Sequence, residues 1–253
     1  PEFVRANAGL RYDYQFIETR DYKGKGETEP SPHFIQNIGE AEYAVALYMY
    51  MRLLGYPAEK ISILTTYAGQ RALIRDILAH RCKGKRLFGL PRHVSTVDKY
   101  QGEQNDYIIL SLTRTRAPGY LRDIRRLTVA LSRARLGLYV FGRKEVFESC
   151  FELHSAFDLL WRRPDKLMLV TNEMFPTQRD VDEEVEATAM EGVEHLGQYV
   201  FEMTNAKVEA LKAGGGMLPP PAPERFDDDD EIEGDGLNEG DGGPEPEEPE
   251  VVE

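Results

Sequence analysis

Residues 94–112 read VSTVDKYQGEQNDYIILSL. The closing run, Tyr107 to Leu112, is almost entirely apolar, as a strand covered on both faces of a parallel sheet should be. Outward from it, short β-branched runs alternate with helix-length amphipathic segments. That order predicts a doubly wound α/β fold. Strands are expected at Tyr14 to Thr19, Ile61 to Thr66, Val94 to Val97, Tyr107 to Leu112, Leu138 to Phe141 and Lys166 to Thr171. A helix is expected from Gly39 to Leu54, with Ala44, Leu47, Met51 and Leu54 on one face and Gly55 and Pro57 closing it. Others are expected over Ala68 to Arg81, with Leu73, Ile77 and His80 on a shared face, over Arg125 to Leu136, and over Val146 to Leu153.

Charge divides the chain. The whole sequence carries a net charge of −13, which taken alone argues against a nucleic-acid partner. From Glu224 to Glu253, however, there are 15 acidic residues and 1 basic one, and residues 1–165 hold 26 basic against 19 acidic. The acidic average hides a basic domain. Beyond Gly214, Gly215 and Gly216 the sequence is rich in Pro, Gly and acid and offers no core, so residues 214–253 are expected to be a disordered tail. Residues 1–175 are expected to form the α/β domain and 176–213 a helical extension. Two cysteines, Cys82 and Cys150, make neither a disulfide framework nor a zinc set, which suits a reducing compartment. No apolar run approaches the roughly 20 residues of a membrane span, and no signal-peptide pattern opens the chain. A soluble intracellular protein without a membrane partner is the expectation.

Three clusters stand where predicted strands end, the usual place for ligands in open α/β sheets. They are ILTTYAGQR (63–71), the Gln-Gly-Glu turn at 101–103 within the opening stretch, and RRLTVALSRARLGLYVFG (125–142). On a continuous helix Arg126 and Arg133 would fall within about 20° of each other and Arg135 roughly opposite. Each cluster has an ordinary reading as well: a solvated arginine, a plain loop, arginines snorkelling beside an apolar face. Their order and spacing together, along one expected sheet edge, are harder to account for that way.

Together the three stretches resemble motifs four, five and six of superfamily-one helicases of the Upf and senataxin type. The resemblance covers about residues 1–175, and FVRANAGLRYDYQFIETRDYKGKGETEPSPHFIQNIGEAEYAVALYMY and LRDIRRLTVALSRARLGLYVFGR tie it to the branch acting in pre-mRNA splicing. It implies a second RecA-like domain, a parallel sheet with helices on both faces. It further implies that Arg71 and Arg133 are catalytic, the latter as arginine finger. Gln101 and Gly102 would lie near the γ-phosphate, Glu103 on the ribose, and Thr65 and Thr96 on the nucleic-acid backbone. The implied cofactor is ATP with Mg2+. The implied partners are single-stranded intron RNA, spliceosomal proteins and an upstream RecA-like domain, in the nucleus.

Positioning and charge neutralisation dominate phosphoryl transfer, and a finger is worth roughly 10³ to 10⁵ in rate. Hydroxyls on phosphates hold a strand without reading it, so the residues themselves leave RNA against DNA open. No GxxxxGK[ST] is present, since GKGETEPS and KGKRLFGL fail its spacing, and no acidic pair is placed for magnesium. The expectation is the C-terminal part of a larger motor, inert alone, with its metal ligands upstream. A helicase-like scaffold that clamps RNA or protein without turnover is the alternative; an acidic histone-chaperone-like role rests on the tail alone.

Overall fold

A computed structural model of the chain describes residues 4–214 and Phe226. Five parallel strands form the main sheet in the order β1-β7-β6-β4-β5. They are β1 (Tyr14–Glu18), β4 (Ile61–Thr65), β5 (His93–Thr96), β6 (Asn105–Ser111) and β7 (Ala134–Gly142). A short hairpin, β2 (Glu27–Thr28) with β3 (Gln36–Asn37), precedes α1 (Ile38–Leu54), and α2 (Ala68–Arg81) follows β4. After β6 come α3 (Ile124–Leu131), then, beyond β7, α4 (Lys144–Glu148) and α5 (His154–Trp161). A two-stranded pair, β8 (Met168–Leu169) with β9 (Thr188–Ala189), leads into α6 (Val193–Ala213).

The two-residue period of a strand sends alternate side chains to two cores. On β6, Tyr107 and Ile109 join the cluster under α1, α2 and α6, whereas Ile108 and Leu110 join the one under α3, α4 and α5. β7 divides likewise, Tyr139 and Phe141 against Leu138 and Val140. Every residue of β6 is buried, as its sequence required. Aromatic rings fill both layers: Tyr43 packs 4.8 Å from Phe141 on one side, and Phe157 lies 5.8 Å from Phe16 and 5.0 Å from Trp161 on the other.

α1 buries far more than the face its period indicated. Tyr43, Val45, Ala46, Tyr48, Tyr50 and Leu53 are buried along with Ala44, Leu47, Met51 and Leu54. The outer side is covered by α6, whose Leu196 and Val200 belong to the same core and whose Tyr199 ring lies 6.1 Å from that of Tyr50. Residues 176–213 thus pack into the domain through α6.

Four expectations need correction. The helix expected to Leu136 stops at Leu131. Ser132 turns back on the Val129 carbonyl (3.0 Å), and Ala134 already pairs with Asn105, so strand pairing overrides helical spacing. Val146 to Leu153 is only the end of α4 and a 3₁₀ turn, and α5 follows. Of Lys166 to Thr171 only Met168–Leu169 is strand, and it lies outside the main sheet. His80 is exposed, because the core face of α2 is Ile74, Ile77 and Leu78. The tail expected from 214 falls outside the described residues, except Gly214, which caps α6, and Phe226, which packs against the α1/α2 core.

Because Leu196 is fully buried between α6 and α1, Leu196→Ala should lower unfolding free energy by about 2–5 kcal/mol in urea titrations. Phe201→Ala, on the same helix but 60 % exposed, should stay within about 0.5 kcal/mol.

Candidate nucleotide and nucleic-acid edges

Register places the predicted site residues at two ends of the sheet, not one. Thr65 pairs with Thr96 and Ser111 at the carboxyl ends of their strands, and α2, carrying Arg71, starts just beyond Thr65. Arg133 directly precedes β7, and its carbonyl accepts the N–H of Asn105 at the amino end of β6 (3.2 Å). The seven residues of β6 span the two ends, about six steps or roughly 20 Å at strand rise. Residues 97–104 make the crossing, with Val97 and Tyr100 packed on the α3 face and the Tyr100 hydroxyl against Ser62 Oγ (3.3 Å). Arg71 and Arg133 therefore stand beside different ends of the sheet.

At the amino end, Gln101, Gly102 and Glu103 form an exposed turn. Gly102 sits at φ 84, open to glycine, and a Cβ there would meet nothing within 4 Å, so the backbone faces free space. Arg133 is half-buried beside it. Its guanidinium donates to the carbonyls of Val129 (2.8 Å) and Glu103 (3.3 Å) and to Ser132 Oγ (3.0 Å), all neutral oxygens. Arg135, on β7, is bound differently: it pairs with Asp106 (3.2 Å), which also holds Lys60 (3.1 Å). The different jobs expected of the two arginines stand, but their separation comes from a turn and a strand rather than from two faces of a helix. A cationic side chain positioned by neutral acceptors beside an open turn suits the outer phosphates of a nucleotide. Among the described residues no group of three or more His, Cys, Asp or Glu could hold a metal ion.

At the carboxyl end the expected backbone contact Thr65 is fully buried, its hydroxyl 3.1 Å from that of Thr113, and so is unavailable to a ligand. Thr96 is half-buried. Gln70, from the same motif, is structural: its amide exchanges hydrogen bonds with the Asn37 backbone (2.7 and 3.0 Å) and donates to Ser111 Oγ (3.0 Å). Gly69 is fixed by close approach, since a Cβ would lie 2.7 Å from the Ile35 carbonyl oxygen.

The surface at this end is made by residues that motif reasoning passed over. The Tyr67 hydroxyl accepts from Arg114 (3.1 Å) and from the N–H of Tyr120 (3.3 Å), and the Arg126 guanidinium lies 3.2 Å over the Tyr120 ring. Glu27 of the hairpin pins the loop by accepting from Arg114 Nε (3.1 Å) and the Thr115 and Arg116 amides (2.5 and 3.3 Å). Aromatic rings interleaved with arginines are a platform for unpaired bases and phosphates. The available signal was the density of arginines at 114, 116, 122, 125 and 126 around Tyr120.

Beneath that platform lies Glu40, fully buried. Asn37 caps α1 by accepting the Glu40 N–H (3.1 Å), and its side-chain amide donates to Glu40 Oε1 (3.2 Å), while its own N–H goes to Gln70. Glu40 Oε2 accepts from Ser111 Oγ (2.6 Å) and the Thr113 N–H (2.7 Å). Thr113 is held at φ 72, unusual for a β-branched residue and tolerable only where surroundings over-determine it. Burial pushes the Glu40 carboxyl up to about 8, against the hydrogen bonds from Ser111 and Thr113 and the charge of Arg143.

A family model described as an AAA domain matches residues 5–145. The chain is 57 % identical over 205 residues to "RNA helicase aquarius" of Mus musculus, covering 80 % of this chain and 14 % of the relative. It is 36 % identical over 203 residues to "Pre-mRNA-splicing factor cwf11" of Schizosaccharomyces pombe, covering 80 % and 16 %. It is 41 % identical over 91 residues to "ATP-dependent helicase NAM7" of Saccharomyces cerevisiae, covering 35 % and 9 %. The chain thus spans less than one fifth of the length of each.

Glu40 predicts a pH dependence. Between about 4.5 and 8 the folded chain retains a proton that the unfolded chain has lost, so stability should fall as pH rises through that window and level off above it. Glu40→Gln should flatten that slope in urea titrations from pH 5 to pH 9.

Proposed function

From the premise that the chain belongs to the AAA domain family, we propose that it is the second RecA-like half of an ATP-driven RNA helicase, with nucleotide at the amino end of β6 and β7 and RNA at the carboxyl end of β4 to β6. The observation that carries the reading is Arg133. Arg135 is neutralised by Asp106, whereas Arg133 is held on neutral oxygens beside an exposed turn, an arrangement that suits a charge offered to a ligand.

In this reading Arg133 is the finger that neutralises charge building on the transferring phosphoryl group. The Gln101–Gly102 turn lies near the same phosphate and Glu103 accepts from the ribose, the roles the helicase resemblance gives them. ATP brings the transferable phosphoryl group, and Mg2+ and the lysine that cradles it come from an upstream RecA-like domain. Without that domain the chain is inactive. Arg71 belongs with the RNA rather than the nucleotide, because it opens α2 beside Tyr67 at the far end of the sheet. Thr96, Tyr67 and Arg114 grip the strand with it, and Thr65 supports them from within.

RNA, the intron, spliceosomal partners and a nuclear location rest on similarity to the Aquarius and cwf11 proteins over 80 % of the chain. The non-catalytic scaffold remains the competing outcome.

The intact protein carrying Arg133→Ala should lose ATP turnover by about 10³-fold or more. Loss of its hydrogen bonds should cost only about 1 kcal/mol of domain stability. Arg135→Ala should leave turnover within a few-fold while weakening the fold by a similar amount. Wild-type turnover in Arg133→Ala with RNA saturating would overturn the motor reading in favour of a scaffold.

A further inference from the structure

Between β1 and β2 the chain makes a tight turn, Tyr22-Lys23-Gly24-Lys25. Tyr22 and Lys25 exchange backbone hydrogen bonds (3.0 Å each), and φ is positive at both central residues, 53 at Lys23 and 74 at Gly24, the two-residue turn that suits a twisted ribbon. Three contacts hold its base. Asp21 pairs with Arg143 just past β7. Gly39 of α1 leaves room for Tyr22, since a Cβ there would lie 3.0 Å from the Tyr22 Cβ, and the Glu27 N–H donates to Thr115 Oγ1 (3.0 Å). The acids of the stretch are thus neutralised, Asp21 by Arg143 and Glu27 by Arg114. Lys23 and Lys25 stand exposed at the tip and make no ion pair among the described residues, and Arg116 is exposed on the loop that Glu27 holds.

We propose that this turn is a further strand-binding element, whose two lysines hold phosphates of a single strand that has crossed the carboxyl edge past Thr96, Tyr67 and Arg114. Its role depends on RNA running along that edge, as proposed above. Sheet order gives the path. β5, β4 and β6 lie under the groups already assigned to the strand, and the turn stands on the other side, on the chain leaving β1 and tied to the end of β7. Neighbouring strands are about 4.8 Å apart, so the two spacings from β6 to β1 add about 10 Å to the roughly 10 Å from β5 to β6. Ammonium groups on flexible stems act as point charges, which suits phosphates and reads no base. A base fixed at three points presents them without first being ordered by the ligand, so little affinity is lost to ordering.

Amine acetylation and salt titration of the intact protein test it. Saturating oligouridine should suppress acetylation of Lys23 and Lys25 and leave Lys83 and Lys85 unchanged, since those two are exposed beyond the end of α2, away from the carboxyl edge. The double change Lys23→Asn and Lys25→Gln removes both charges and keeps the turn, because Asn tolerates positive φ. It should weaken binding of an oligouridine of about 15 nucleotides by about 5-fold at low salt, and lower the slope of log affinity against log salt by about 1.4, at roughly 0.7 per phosphate contact. Arg71→Ala is the control for the edge itself. Unprotected lysines or an unchanged slope, with Arg71→Ala still weakening binding, would overturn the turn as a strand contact, leave the RNA edge standing and point the lysines to an acidic protein partner. No loss of affinity in either variant would overturn the RNA edge, and the role of the turn with it.

Discussion

The constraint on which most of this domain depends is that a carboxyl group, Glu40, is buried at the carboxyl ends of the strands and must be satisfied there. One side chain does several things at once. It completes the cap of α1, fixes the end of β6 through Ser111, and holds Thr113 in a left-handed turn. Gln70 ties the same network to α2, and Thr65 ties it to β4. The path of the next three residues, and so the placing of Arg114 against Tyr67, follows from how Thr113 leaves the strand. A polar network of this kind is stable only when complete, because each unpaired member would cost its full desolvation. The surface of Tyr67, Arg114 and Tyr120 is therefore determined by groups that never reach the surface.

The opposite end of the sheet is built on another principle. Exposed turn, half-buried arginine and neutral acceptors leave charge available rather than consuming it. Both ends lie on one body, spanned by β6 and by the parallel crossings of α3 and residues 97–104 over the same face. α3 runs from the neighbourhood of Tyr120 and Arg126 to the turn that holds Arg133. A rigid element joining two ligand edges does not itself establish coupling. It does mean that Arg133 and the Tyr67–Arg114 surface move together as parts of one body.

Much of this was legible in the sequence. β6 declared itself as a strand buried on both faces, α1 and α2 were bounded to within a residue by their periodicity, and the basic domain emerged once charge was counted by segment. What was misread shares a cause. Local spacing says nothing about which partner a residue will meet. Ala134 and Arg135 continue a good helical pattern, yet Ala134 goes to β7 because a strand was needed beside β6. Thr65 resembles a surface hydroxyl in its motif, yet its partner is Thr113, 48 positions away. Arg71 and Arg133 both sit beside strand ends, but a parallel strand has two, and only the register tells them apart.

The boundary at residue 175 follows motif and composition rather than packing. Composition changes there, and the resemblance to helicase motifs fades, but packing continues. Met190, Leu196 and Val200 enter the same core as Tyr139 and Phe141, and Lys207 donates to the Leu53 carbonyl at the end of α1 (2.6 Å). Without α6, a helix apolar on nearly every side would face water along Tyr50 and its neighbours. The sequence of α1 carried this information, since a helix with no polar face needs cover on both sides. The unit of motif and the unit of folding are thus different objects: the first is set by contact with ligands at the strand ends, the second by the area of apolar surface that α1 obliges the rest of the chain to cover.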